Sequence, residues 1–145
     1  MKKLLFVIAA GCMLCSCSTT QLYNWGGVYN GTTSYEQKLY AFYDRQSPES
    51  VCALVCQYAD MVAKPGGVRN VVPPGIYAEY GYLLIQPETA EAFEKHATDK
   101  QKRVFGYTNY STSFYELGLA MLQKEIELYP ESKKFIGPLV ERLKR

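Results

Sequence analysis

The amino-acid sequence predicts an all-α domain, and three observations carry that expectation. Apolar side chains recur at three- and four-residue spacing along most of the chain. Helix-start signatures, a serine or threonine ahead of proline, acid or glutamine, punctuate it repeatedly. No segment alternates convincingly with period two, as half-buried strands do. Because the turns between helical segments are short, the helices are expected to pair as antiparallel hairpins.

Residues 1–16 read as a signal peptide: Met-Lys-Lys is a positive n-region, and Leu4 to Ala10 is an uncharged apolar run. That run falls short of the roughly 20 apolar residues a spanning helix needs. Cysteines follow at 12, 15 and 17, before polar Ser18-Thr19-Thr20. A signal ending in cysteine resembles the bacterial lipoprotein signal, in which the cysteine becomes the acylated first residue. That pattern wants an aliphatic residue three before the cysteine and a small one just before it. Leu14-Cys15-Ser16-Cys17 meets both, so Cys17 is the expected lipidation site. Cys12 is the second choice, with a small residue before it and no aliphatic one, and Leu14 is too bulky to precede an acylated Cys15. Each buried methylene of an acyl chain contributes about 0.8 kcal/mol, so two or more chains anchor a protein durably. Ser18 after the cysteine implies, by the same resemblance, the outer membrane. The absence of an acidic run after it implies a periplasm-facing position.

Loss of Lys2 and Lys3 with the signal takes the formal charge from +2 to zero, with 14 basic and 14 acidic side chains left. A neutral chain gives no electrostatic case for nucleic acid.

Residues 17–33 read as a lipidated tether rich in Ser, Thr, Gly and Asn. Leu22, Tyr23, Trp25, Val28 and Tyr29 are too apolar for a plain linker. The tether is therefore expected to fold back so that Trp25 docks on the domain, with partner contact as the other use of Trp25.

A helical domain is expected over 34–145. Tyr35, Leu39, Phe42 and Tyr43 mark its first helix, with Ser34 as N-cap and Gln37 three residues on. Ser47-Pro48-Glu49 starts a second, carrying Val51, Cys52, Leu54, Val55, Tyr58, Met61 and Val62 and stopping at Lys64-Pro65-Gly66-Gly67. Pro73-Pro74-Gly75 opens a third, and Gln86-Pro87-Glu88 interrupts it. Ala90, Phe93 and Ala97 mark a short amphipathic helix, and Thr98-Asp99-Lys100-Gln101 a further cap. Phe105 to Ser113 reads as an aromatic loop. A helix from about Phe114 to Tyr129 follows, with Leu117, Leu119, Leu122, Ile126 and Tyr129 apolar. Pro130-Glu131-Ser132 ends it and starts a last helix with Phe135, Ile136, Leu139, Val140 and Leu143.

In the third helix, Tyr77, Tyr80, Gly81 and Leu84 form one stripe. Glycine there costs about 1 kcal/mol of helix propensity against alanine, which is reasonable where another helix approaches closely. Large, large-Gly, large resembles the first helix of a tetratricopeptide repeat, and Gly118, Leu122 and Pro130 resemble its second. A tetratricopeptide-like short solenoid or bundle is the fold this implies. The interval from Gly81 to Gly118 is about 25 residues longer than the spacing between the two helices within one 34-residue repeat allows, so 86–112 reads as an insertion. Tyr82 points about 140° away from Tyr77 at 100° per residue, on the side such repeats present to ligands.

Together with the lipoprotein signal, "LYNWGGVY" (22–29), "PPGIYAEYGYLLI" (73–85) and "KEIELYPES" (124–132) resemble a family of bacterial lipoproteins defined only as a domain of unknown function. The resemblance covers most of the chain beyond the signal. It implies a tetratricopeptide-like helical lipoprotein of a kind often encoded beside a CsgG-like secretion lipoprotein and another small lipoprotein, and it brings no catalytic residues.

The residues offer little chemistry of their own. Cys52 and Cys56, four apart on a helix, read as core packing, with a periplasmic disulfide, a metal site or catalysis as the other uses; regular i,i+4 geometry does not face two Cβ atoms for a bridge. His96 is the sole histidine and cannot make an H-E-x-x-H zinc site, and no G-x-S-x-G elbow or P-loop is present. Asn30-Gly31-Thr32 and Asn109-Tyr110-Ser111 match a glycosylation pattern, incidental after a bacterial signal. Lys100, Lys102 and Arg103 read as a solvated face. The expectation is a non-catalytic, cofactor-free envelope scaffold for another protein, such as a CsgG-like component, contacted through Tyr82, Trp25, Tyr107 and Tyr110. A glycan or peptidoglycan module using exposed tyrosines, and a pilotin-like chaperone, are the alternatives.

Overall fold

The computed structural model describes residues 20–144. The expected signal peptide, with Cys12, and the expected lipidation site Cys17 lie outside them. Among the described residues the chain forms seven α-helices and one small hairpin, so the all-α expectation holds.

The hairpin pairs β1 (Val28–Tyr29) with β2 (Thr32–Thr33) in antiparallel register. Asn30 and Gly31 turn it with φ of 51° and 78°. Two central residues at positive φ make the turn that Asn-Gly favours, and sequence reasoning passed over it as a glycosylation match. Helix α1 (Ser34–Arg45) follows at once, capped by Thr33, whose side chain accepts from the Glu36 N–H while the Glu36 carboxylate accepts from the Thr33 N–H. The expected cap at Ser34 is thus displaced by one residue. Ser34 instead donates through its hydroxyl to buried Gln57, at 2.8 Å.

Helix α2 (Pro48–Ala63) begins as expected, with Ser47 accepting from the Ser50 N–H and Pro48 in the first turn. The α1–α2 pair is the expected hairpin. Helix α3 (Ile76–Leu84) starts after Gly75, whose φ of 89° is left-handed and disfavours a side chain. Helices α4 (Pro87–His96) and α5 (Asp99–Phe105) follow, the second opened by a reciprocal Thr98–Gln101 capping box. Helix α6 runs Tyr110–Leu128, capped by Asn109, so it starts four residues before the expected Phe114 and absorbs much of the presumed loop. A 3-10 turn (Pro130–Ser132) leads into α7 (Lys133–Leu143), on which Val140 is buried but Phe135 is exposed.

Among the described residues, helices α3 and α6 make the most extensive helix–helix contact. A Cβ on Gly81 would stand 2.7 Å from the Gly118 carbonyl oxygen, and one on Gly118 would stand 2.8 Å from that of Gly81 and 2.6 Å from the Ile85 side chain. The two small residues of the repeat-like pattern therefore meet, across the intervening 86–112 segment. That segment is core and not an appended insertion: Phe93 is fully buried and lies 5.1 to 5.2 Å, centroid to centroid, from Phe105, Tyr110 and Phe114. Ala90 and Ala97 are buried beside it.

Residues 21–33 are not a free tether. Val68 and Arg69 donate backbone N–H groups to the carbonyls of Gln21 and Leu22, both at 3.0 Å, and Ser34 and Tyr35 donate to those of Gly27 and Trp25. The segment is a strap across the end of the bundle where α1 begins and α2 ends, so the folded domain starts near residue 21 and not at 34. Among the described residues, no helix is long and apolar enough to cross a membrane.

Candidate functional site

The candidate site is an apolar groove between α1 and α3, floored by α2. On α1, Leu39 and Phe42 are half-buried toward the core, while Tyr40 and Tyr43 are each 66% exposed. On α3, Tyr77, Tyr80, Gly81 and Leu84 turn inward and leave Tyr82 57% exposed. The groove between them encloses about 350 Å3, with Leu39, Phe42, Tyr43, Tyr82 and Leu83 on its walls and Leu54 and Tyr58 beneath. Large exposed aromatic side chains beside an apolar depression are the composition of a recognition surface.

One carboxylate serves this region. Glu79 Oε2 accepts from the hydroxyls of both Tyr35 and Tyr58, at 2.7 Å each. Burial, and then the Glu79 bonds, push both phenols well above their ordinary range, so they remain donors. The pair extends into a line of rings from the strap to α3: Trp25–Tyr35 at 5.4 Å, Tyr35–Tyr58 at 5.9 Å and Tyr58–Tyr80 at 5.7 Å. Such contacts contribute about 0.5–1.5 kcal/mol each beyond area burial. The strap and the groove floor thus share one rigid aromatic backing.

The stretches 73–85 and 124–132 hold each other at the opposite end of α3. Glu125, buried on α6, accepts from the Gly75 N–H at 2.8 Å with Oε1. The backbone N–H groups of Tyr77 and Ala78 also favour its charged form, but burial outweighs all three and raises its pKa. Its Oε2 makes no hydrogen bond. Because Gly75 has no side chain to cap α3, a carboxylate from another helix does so. Nearby, the Tyr129 hydroxyl donates to the Val72 carbonyl at 2.5 Å, and Lys124 Nζ stands 5.8 Å from the Tyr77 ring. These residues hold the fold together. Nothing in the sequence locates a cap supplied from fifty residues away.

The other sequence candidates separate. Tyr110 is buried and Tyr107 half-buried, both edge-on to Phe114 at 5.3 and 6.3 Å, so the expected exposed surface at 107 and 110 is not formed. Aromatic residues beside Gly, Asn and Ser read as loop because the stripe from Tyr110 to Phe114 was not seen as the start of α6. Trp25 docks as expected, half-buried between Tyr23 and Tyr35, which turns its ring to internal packing. Cys52 and Cys56 are free thiols, and burial pushes each up to about 11. His96 Nδ1 lies 3.6 Å from a Glu49 carboxylate oxygen at the surface. Among the described residues, no three His, Cys, Asp or Glu side chains converge to hold a metal ion. Sequence reasoning passed over Tyr40 and set Tyr43 in the apolar stripe of the first helix with Leu39 and Phe42, whereas Tyr43 is exposed at the groove edge.

Comparison with protein-family models, with curated proteins and with solved structures finds no match.

Proposed function

We propose that the chain is a lipid-anchored, non-catalytic scaffold of the bacterial outer membrane. It faces the periplasm and holds another envelope protein, such as a component of a CsgG-like secretion assembly, in the α1–α3 groove. The observation that carries this reading is the groove itself: mostly apolar walls, with Tyr43 and Tyr82 exposed at its rim above a floor of Leu54 and Tyr58. Tyrosine supplies large contact area at little conformational cost, and is enriched where partners bind. The amino-terminal pattern ending at Cys17 supports the anchor. Two thiols held at about 11 are poor nucleophiles at neutral pH, which favours a binding role over a catalytic one.

The glycan-binding alternative loses the residues it rested on, since Tyr110 is buried and Tyr107 packs against Phe114.

The test is affinity capture from detergent-solubilised membranes with the wild-type chain and with Tyr82→Ala, Leu83→Glu and Tyr115→Ala. A hot-spot tyrosine is worth about 2 kcal/mol or more, roughly 30-fold in affinity. The groove variants should lose one envelope protein that the Tyr115 variant retains. Equal recovery by all four chains would refute the assignment.

A further inference from the structure

Three large apolar side chains lie exposed together at the end of the bundle where the strap crosses the α2–α3 loop. Leu22 is 53% exposed, Val68 67% and Val71 42%. They belong to one piece of surface. Val68 and Arg69 are hydrogen-bonded to Gln21 and Leu22, and Val71 is bridged to Gly66. The surface is also held rigidly. A Cβ on Gly67 would stand 2.6 Å from the Leu22 carbonyl oxygen, and Gly67 has a φ of +75°. The Arg69 guanidinium donates to the Tyr23 hydroxyl at 2.7 Å and lies 5.4 Å from the ring centroid. An exposed cation beside exposed aliphatic side chains suits the boundary between headgroups and acyl chains.

We propose that this end of the molecule rests on the lipid bilayer. The proposal builds on the lipid-anchor reading, and the length of the connecting chain is what selects a lipid surface as the occupant. Only four residue steps separate Cys17 from Gln21. An extended chain spans at most about 3.3–3.6 Å per residue, so Gln21 can stand no more than about 14 Å from an acylated Cys17. Leu22, one residue step farther, can stand no more than about 18 Å away, and Val68 is tied beside it through its N–H bond to the Gln21 carbonyl. The strap's hydrogen bonds to Val68 and Arg69 remove the slack that a free 17–33 tether would have had.

The consequence reaches the groove. Helix α1 starts at the membrane end, and Tyr43 stands nine residues along it. At 1.5 Å per residue that is roughly 13 Å along the helix axis from the membrane end. Tyr82, near the carboxyl end of α3, lies in the same direction, because the amino end of α3 is joined to Val71 and Val72. The lipid end and the partner end are therefore opposite ends of one rigid body.

The experiment uses the full acylated chain reconstituted into vesicles of phosphatidylethanolamine and phosphatidylglycerol. Spin labels are placed at Val68→Cys and, separately, at Tyr82→Cys. Both positions are exposed, and the labels are placed in a Cys56→Ser background because Cys52 is buried but Cys56 only half-buried. Flotation with the vesicles is measured alongside the accessibility of each label to oxygen, which concentrates in lipid, and to a water-soluble nickel chelate. The expected result is a several-fold higher oxygen-to-nickel ratio at 68 than at 82. Flotation with equal, water-like ratios overturns the lipid contact while leaving the anchor intact. Shielding of the 68 label from both reagents means a protein contact there and also overturns it. Failure to float overturns the anchor and this proposal together.

Discussion

Gly81 and Gly118 face each other across the α3–α6 contact so closely that neither can carry a side chain. A Cβ on either would come within 2.8 Å of the other's carbonyl oxygen. Gly81→Ala would gain about 1 kcal/mol of helix propensity. Overlap with backbone atoms costs more, since overpacking of a tight core is typically worth 1–3 kcal/mol. Chemical denaturation should therefore show a net loss of up to about 2 kcal/mol for Gly81→Ala and for Gly118→Ala. Gly137→Ala in α7, where a Cβ meets nothing closer than 3.7 Å, should instead be neutral or stabilising. Equal effects at all three positions would remove the close-approach account.

The three tyrosines of α3 should divide by thermal or chemical denaturation. Tyr80 is 2% exposed and stacks on Tyr58, and truncating a buried aromatic residue costs about 3–5 kcal/mol. Tyr82 is 57% exposed, and surface substitutions stay within about 0.5 kcal/mol. Tyr80→Ala should be severely destabilised and Tyr82→Ala should match the wild type. The Tyr82 variant is therefore suitable for binding tests.

Glu125 should impose a pH dependence of defined sign. Its pKa in the fold is raised above the ordinary 4.5, so the folded state holds the proton more tightly than the unfolded state. Stability is then greatest below about 4.5 with respect to this group and falls as pH rises through the interval up to the raised value. Glu125→Gln keeps an acceptor for the Gly75 N–H and should flatten that slope. Glu125→Ala leaves the α3 amino end uncapped and should cost about 1–3 kcal/mol. Urea titrations across mildly acidic pH distinguish the two; an unchanged slope in Glu125→Gln would assign the pH dependence elsewhere.

The buried thiols should react slowly. With both groups raised to about 11 by burial, little thiolate exists at pH 8. Labelling of the folded chain at pH 8 should lag far behind that of the urea-unfolded chain, with fully buried Cys52 slower than Cys56. Labelling as fast as an exposed thiol would contradict the packing at Cys52.

Much of this architecture was legible because it is local. Ser47-Pro48 and the Thr98–Gln101 box announce helix starts through bonds that span three residues. The Gly81–Gly118 contact was legible at long range because glycine inside an apolar helical stripe has few other uses. The errors arose where composition concealed geometry. Asn30-Gly31 is a hairpin turn within a segment read as linker, and Asn109 caps a helix within a segment read as loop. The segment 86–112 looked inserted only against the length of a repeat, yet Phe93 needs Phe105, Tyr110 and Phe114 around it. Of the candidate groove, the exposure of Tyr82 was legible from its angle on the helix. The α1 wall that faces it requires tertiary packing, as does the shared bond of Tyr35 and Tyr58 to Glu79.

Site-specific photocrosslinking in intact cells tests the central claim most directly. A benzophenone amino acid is placed at Tyr43 and at Tyr82, on the two walls of the groove, and at Tyr115 on α6 as a control. The same envelope protein should be attached at 43 and at 82 and not at 115. No adduct at either wall, or the same adduct at all three positions, would contradict that claim.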